Sequence, residues 1–196
     1  MAKEREMRET RTREAGFSLV ELGISLIVML IIMAIALPAL MNGWNAYRLT
    51  SAASSVAGLL QRARFEAIHK NANLSVLGQT VGGVFAIGID ENNNGVIDPR
   101  EPQIQLPGPA TLINPGIAPG PVSMGPSYAA AAAPPTNSVT FDPRGTVVPI
   151  PGTPPPYIAY FGITNQPKYG FRAVTITAMG QIKTWIASAN STWVAQ

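Results

Sequence analysis

The sequence predicts an α+β protein in which a long N-terminal transmembrane helix packs on an antiparallel β-sheet domain. Three observations carry this. An uncharged apolar run from Leu22 to Leu37 follows a single carboxylate at Glu21. Apolar residues then recur at steps of three and four to about Lys70, and beyond Asn73 the period shortens towards two in segments rich in β-branched and aromatic residues.

The elements follow in chain order. Residues 1–16 form a leader with Lys3, Arg5, Arg8, Arg11 and Arg13 ahead of the apolar run. By the positive-inside rule these cations keep the leader cytoplasmic, whereas Glu4, Glu6, Glu9 and Glu14 weigh little. The next charge after Glu21 is Arg48, so the C-terminal region is expected on the far side of an inner membrane, in a periplasm. Residues 17–40 are the transmembrane and assembly helix. From Phe17 to Pro38 a continuous helix rises about 33 Å, enough for the ~30 Å hydrocarbon core. Pro38 lacks an amide hydrogen, and a kink or local melting is expected there.

Residues 41–72 read as an amphipathic continuation of the same helix, with Leu49, Ala53, Val56, Leu60, Ala63 and Ala67 as its apolar stripe. Residues 73–196 read as a periplasmic β-domain. Its expected strands are Leu74–Leu77, Val84–Ile89, Val139–Phe141, Thr146–Ile150, Tyr157–Ile163, Ala173–Thr177 and Gln181–Ile186, with Met179-Gly180 turning between the last two. Their imperfect alternation suits a sheet packed on one side by the helix. Between Pro102 and Pro156 lie 15 of the 18 prolines, and proline removes a ladder donor, so most of this stretch reads as an extended surface insertion. It would be either a spacer or a contact loop for a neighbouring subunit.

Composition narrows the class. The leader holds five of the chain's cations and four of its carboxylates, so the remainder carries 9 Lys+Arg against 7 Asp+Glu, too small a surplus to argue for nucleic acid. With 46% hydrophobic and 13% charged residues, the chain is not a disordered tail. The absence of cysteine excludes disulfides and thiolate metal sites. His69 is the only histidine and has no cysteine to pair with, so no catalytic constellation forms and an enzyme is not expected. His69 reads instead as a partly exposed helix-end residue, and Trp44, Trp185 and Trp193 as interface or packing residues.

Gly16-Phe17-Ser18-Leu19-Val20-Glu21 and the apolar run behind it resemble the type IV prepilin signal. A carboxylate in a membrane span costs roughly 2.5–3.5 kcal/mol on insertion scales and calls for a partner. The resemblance implies cleavage by a prepilin peptidase between Gly16 and Phe17, N-methylation of Phe17, and pairing of Glu21 with the N-terminal amine of a neighbouring subunit. The competing reading is a secretory signal peptide cut after Ala34-Ile35-Ala36, against which stand the length of the run and the Glu at its start.

Further matches resemble the GspH/FimT group of minor pseudopilins and minor pilins. Ala63-Arg64-Phe65-Glu66-Ala67-Ile68 looks like its AR-x-EA-I element, and Asp90-Glu91-Asn92-Asn93-Asn94-Gly95 like its Asp/Asn/Gly-rich loop. Phe141-Asp142-Pro143-Arg144-Gly145 looks like its F-x-P-x-G turn, and Thr175–Gly180 like the strand into its closing glycine. The resemblance implies a type IV pilin-like fold and a structural subunit of a type II secretion pseudopilus or type IV pilus, acting in protein secretion or pilus assembly. Its implied partners are other pilins or pseudopilins and an inner-membrane assembly platform, with a separate ATPase, since no G-x-x-x-x-G-K-[ST] loop occurs here. The alternative is a pilus-associated, FimT-like DNA-binding module for DNA uptake. The family's G-R-x-R element would fall on Gly180-Gln181-Ile182-Lys183, where only Lys183 keeps a charge, so DNA binding is not favoured.

No cofactor is required by this reading, but one ligand pattern stands out. Asp90, Asn92, Asn94, Asp98 and Glu101, with Gly95 between them, satisfy the calcium-loop spacing D-x-[DN]-x-[DN]-G-x5-E, in which alternate oxygens converge. The flanks offer no helix–loop–helix. An Asn/Gly hairpin held by side-chain-to-backbone bonds satisfies the same residues.

Overall fold

In the computed structural model, which describes residues 18–134, 137–189 and 191–196, one helix, α1, runs unbroken from Leu19 to Lys70. The junction Gly16-Phe17 lies outside the described residues. The chain divides into two units, Met1–Met41 and Asn42–Gln196. In the first, every large apolar side chain from Leu19 to Met41 is exposed, which suits lipid or another apolar helix rather than a core of this chain. Pro38 lies inside the helix, and the expected local melting is not seen. Proline forfeits one ladder bond, and regular helix on both sides retains the rest.

In the second unit the six residues of the apolar stripe are all buried, joined by Ala52, Ala57 and Leu59. The helix stops after Lys70 because Asn71 turns left-handed at φ 48°. The Asn71 and Ala72 amides then donate to the carbonyls of Ile68 and Ala67.

The strands are β1 Leu74–Val81, β2 Val84–Asp90, β3 Gln103–Gln105, β4 Ala110–Leu112, β5 Ser138–Phe141, β6 Tyr157–Ile163, β7 Phe171–Ile176, β8 Ile182–Ala187 and β9 Val194–Ala195. They make two sheets, not one. The first has the order β3-β2-β1-β5 and the second β4-β6-β7-β8-β9, with every named pairing antiparallel. Gly82 and Gly83, both at positive φ, supply the two-residue turn that joins β1 to β2.

The main core lies between α1 and both sheets, where Leu49, Val56 and Leu60 meet Leu74, Ile87, Phe141, Phe161 and Val174. A second core covers the opposite face of the second sheet. There Phe171, Ala173, Trp185 and Ala187 pack with Ala118, Met124, Tyr128 and Trp193. The second sheet is therefore buried on both faces, and this, not packing on one side, explains why β7 is buried at all six positions.

Two expectations need correction. The Pro-rich stretch is more than a surface insertion, although most of its described residues are exposed or half-buried. It contributes β3, β4, β5 and two short 3-10 turns, Pro121–Met124 and Pro126–Tyr128, that carry Met124 and Tyr128 into the second core. Proline at the start of each turn supplies the fixed φ that such turns need. Thr146–Ile150 is not a strand: Val147 and Ile150 form only isolated bridges, because Pro149 and Pro151 deny the ladder its donors.

Candidate functional site

Glu21 sits in the first turn of α1, where unpaired backbone N–H groups and the helix dipole favour a carboxylate. It is exposed, and it is the only charged residue from Leu19 to Met41. Among the described residues no cation lies within 4.0 Å of it. Among the described residues it stands amid exposed apolar side chains.

Arg64 joins three of the separate sequence matches. It leaves α1 half-buried; its Nε donates to the Gly145 carbonyl at 2.8 Å and its Nη2 to the Met179 carbonyl at 3.2 Å. The first carbonyl closes the Phe141–Gly145 turn and the second belongs to the turn between β7 and β8. Gly145 and Gly180 stand at φ 74° and 72°, and a Cβ on Gly180 would strike the Gly145 carbonyl and Arg64 Nε. Asp142 completes the first turn. Its carboxylate accepts the amides of Thr146 and Arg144 and the Thr146 hydroxyl, each at 2.9 Å. These bonds, led by the Thr146 amide, hold its carboxyl below the ordinary value of 3.8. Sequence reasoning missed this clamp and placed Arg64 only within the AR-x-EA-I element. Positions 64, 145 and 180 carried no signal that they meet.

The acidic loop brings Asp90, Asn92, Asn94, Asp98 and Glu101 together. Asp90 ends β2 on the face shared with Gly88, and Ile97 folds over that face so closely that a Cβ on Gly88 would lie 2.6 Å from its Cγ2. Asp90 and Glu101 are consequently buried. Asp90 Oδ1 and Oδ2 accept the amides of Asn94 and Gly95 at 3.1 and 2.8 Å. Glu101 Oε1 accepts the amides of Glu91 and Asn92, and Oε2 that of Asp98 at 2.8 Å. Asn92 and Asn94 turn their amide nitrogens, not their oxygens, towards Asp98 Oδ2 at 2.9 and 3.1 Å. Calcium at the centre would have to compete for these oxygens and reverse both carboxamides. The donor set is that of a loop closed by its own N–H groups.

Lys183 is exposed on β8, on the face of Trp185, whereas Ile182 faces α1 and the Arg64 clamp. His69 is exposed near the end of α1, as expected. Beside it a surface network links Arg62 to Glu66 at 2.7 Å, Glu66 to Lys70 at 3.3 Å and Lys70 to Glu91 at 3.3 Å.

Comparison with known proteins supplies the lineage. A search of curated proteins found no match. Among solved structures, the chain is similar to the type IV minor pilin FimU of Pseudomonas aeruginosa, with 21% identity, a TM-score of 0.45, and 74% of this chain and 91% of that one covered. It is also similar to the minor pseudopilin EpsH of the type 2 secretion system of Vibrio cholerae, with 15% identity, a TM-score of 0.45, and 74% and 99% covered. The family model for the type II transport protein GspH matches residues 52–180, more than half of the chain and the span that holds the Arg64 clamp, the acidic loop, the first sheet and β4, β6 and β7 of the second. The chain belongs to the GspH family, pilin-like structural subunits that assemble with other pilins in a secretion pseudopilus or type IV pilus.

Proposed function

We propose that this subunit is inserted in the inner membrane with its β-domain in the periplasm, is cut after Gly16 by a prepilin peptidase, is N-methylated on Phe17, and is passed by a membrane assembly platform into a filament. The observation that carries this reading is Glu21, one exposed carboxylate in an otherwise apolar stretch of α1 with no cation of the described chain beside it. In a medium of low dielectric such a group is relieved by an opposite charge, and the freed amine of Phe17 on a neighbouring subunit supplies it. The role is structural, not catalytic.

Glu21→Leu tests the pairing. The variant span is more apolar, so membrane insertion is retained or improved while incorporation into filaments falls. Cross-linking to neighbouring pilins and filament recovery, compared with wild type, read this directly. Normal incorporation would overturn the charge pair. The mass of the membrane form checks processing separately: a chain starting at Phe17 is expected, and one starting after Ala36 would restore the secretory reading.

A further inference from the structure

We propose that Trp44, Tyr47 and Arg48 form a docking site for the headgroup of an anionic phospholipid beside the end of the membrane span. The inference rests on the anchoring of the chain by its apolar run. The three side chains occupy positions i, i+3 and i+4 of α1, and so share a face. Trp44 is 57% exposed and Tyr47 70%, so neither belongs to the core, although both are large enough to anchor one. They follow Leu40 and Met41, the last exposed apolar residues ahead of them on α1, by only a few positions. The backbone of Arg48 lies about 10 Å further along the helix than Met41 at 1.5 Å per residue, and helical side chains lean back towards the N-terminus, so its guanidinium falls in the headgroup layer beyond the hydrocarbon edge. Indole and phenol rings favour that layer, with their apolar bodies inward and polar atoms in the wet zone.

Arg48 supplies the charge complement. Its guanidinium lies over the Trp44 ring, 5.7 Å from the centroid. On another side it rests against Gly108, at φ 62°, so closely that a Cβ there would come within 2.8 Å of Nη1. The fork is thus held in place before any ligand arrives. Among the described residues no carboxylate lies within 4.0 Å of it, unlike Arg62 and Lys70, which are both paired. A planar cation positioned without a counter-charge, at headgroup depth, matches a phosphodiester with two parallel N–H···O bonds.

The full chain, reconstituted into vesicles of phosphatidylglycerol or phosphatidylcholine brominated in the upper acyl chain, tests the site through tryptophan quenching. Trp185 and Trp193 are 7% and 4% exposed, leaving Trp44 as the residue that lipid can reach. Quenching is expected to be stronger in phosphatidylglycerol, and Trp44→Phe should abolish the quenched component. Arg48→Gln should lower the preference for the anionic lipid about fivefold, the effect of one cation at a charged bilayer surface. Equal quenching of wild type and Trp44→Phe would overturn the location of the site, and an unchanged lipid preference in Arg48→Gln would overturn its charge recognition. Resistance of all three proteins to alkaline extraction reports on anchorage by the span independently, so release of the wild type would count against the anchor and not against the docking site.

Discussion

At the scale of single residues, Arg64 and Asp142 turn loop chemistry into a fixed join between helix and sheets. Arg64 donates from one guanidinium to two turns, so its loss leaves two carbonyls without a partner. Arg64→Ala should lower the unfolding free energy by about 1–2 kcal/mol, the value of charged hydrogen bonds at a half-exposed site. Arg64→Lys should recover little of this, because an ammonium cannot span both acceptors with the same planar fork. Urea denaturation of the three proteins measures both. Asp142 adds a pH dependence whose sign follows from its depressed carboxyl. A folded-state value below the unfolded one stabilises the fold above the ordinary aspartate range, and the contribution is lost as pH falls through the folded-state value below 3.8. Asp142→Asn should therefore flatten the acid limb of the melting-temperature profile relative to wild type, and parallel profiles would show that the turn carries none of the acid sensitivity.

At the scale of elements, the acidic loop and the Pro-rich stretch show what local pattern does and does not reveal. The loop is expected to stand on its own amides, so thermal melting of the full chain in detergent should be the same in millimolar calcium as in chelator. A calcium-dependent rise abolished by Asp90→Ala would establish the cation site instead. In either medium Asp90→Ala should cost about 1–3 kcal/mol, because the buried carboxylate caps two amides. The spacing of Asp90 to Glu101 was legible in the sequence; the direction of the Asn92 and Asn94 carboxamides was not, since it depends on where Ile97 and Asp98 fold. The helix was equally legible, because its stripe from Leu49 to Ala67 repeats at the helical period along one face. The second core was not. Met124 and Tyr128 lie in a stretch whose prolines argue against strands, and nothing local says that short 3-10 turns will carry them onto Trp185 and Trp193.

At the scale of the whole molecule, the second core makes the Pro-rich stretch a structural layer. Trp185 meets Tyr128 edge-on at 5.5 Å, and Trp193 donates its indole N–H to the Pro119 carbonyl at 3.0 Å. Excising the segment from Pro115 to Ala133 with a short Gly/Ser replacement should leave the apolar face of the second sheet in water and yield protein that aggregates or binds a hydrophobic dye. A soluble, cooperatively melting product would show that the layer is dispensable. Trp185→Ala should cost about 3–5 kcal/mol in chemical denaturation, the usual range for a buried indole. The hydrogen bond from Arg172 to Thr50 has a temporal consequence, for its partners stand 122 residues apart in the chain. At ~5–20 residues per second of synthesis, the apolar stripe beginning at Leu49 exists for on the order of ten seconds before β7, which supplies part of its cover, has been made. For that interval the stripe lacks the cover that the second sheet gives it, and its uncovered apolar side chains are open to self-association.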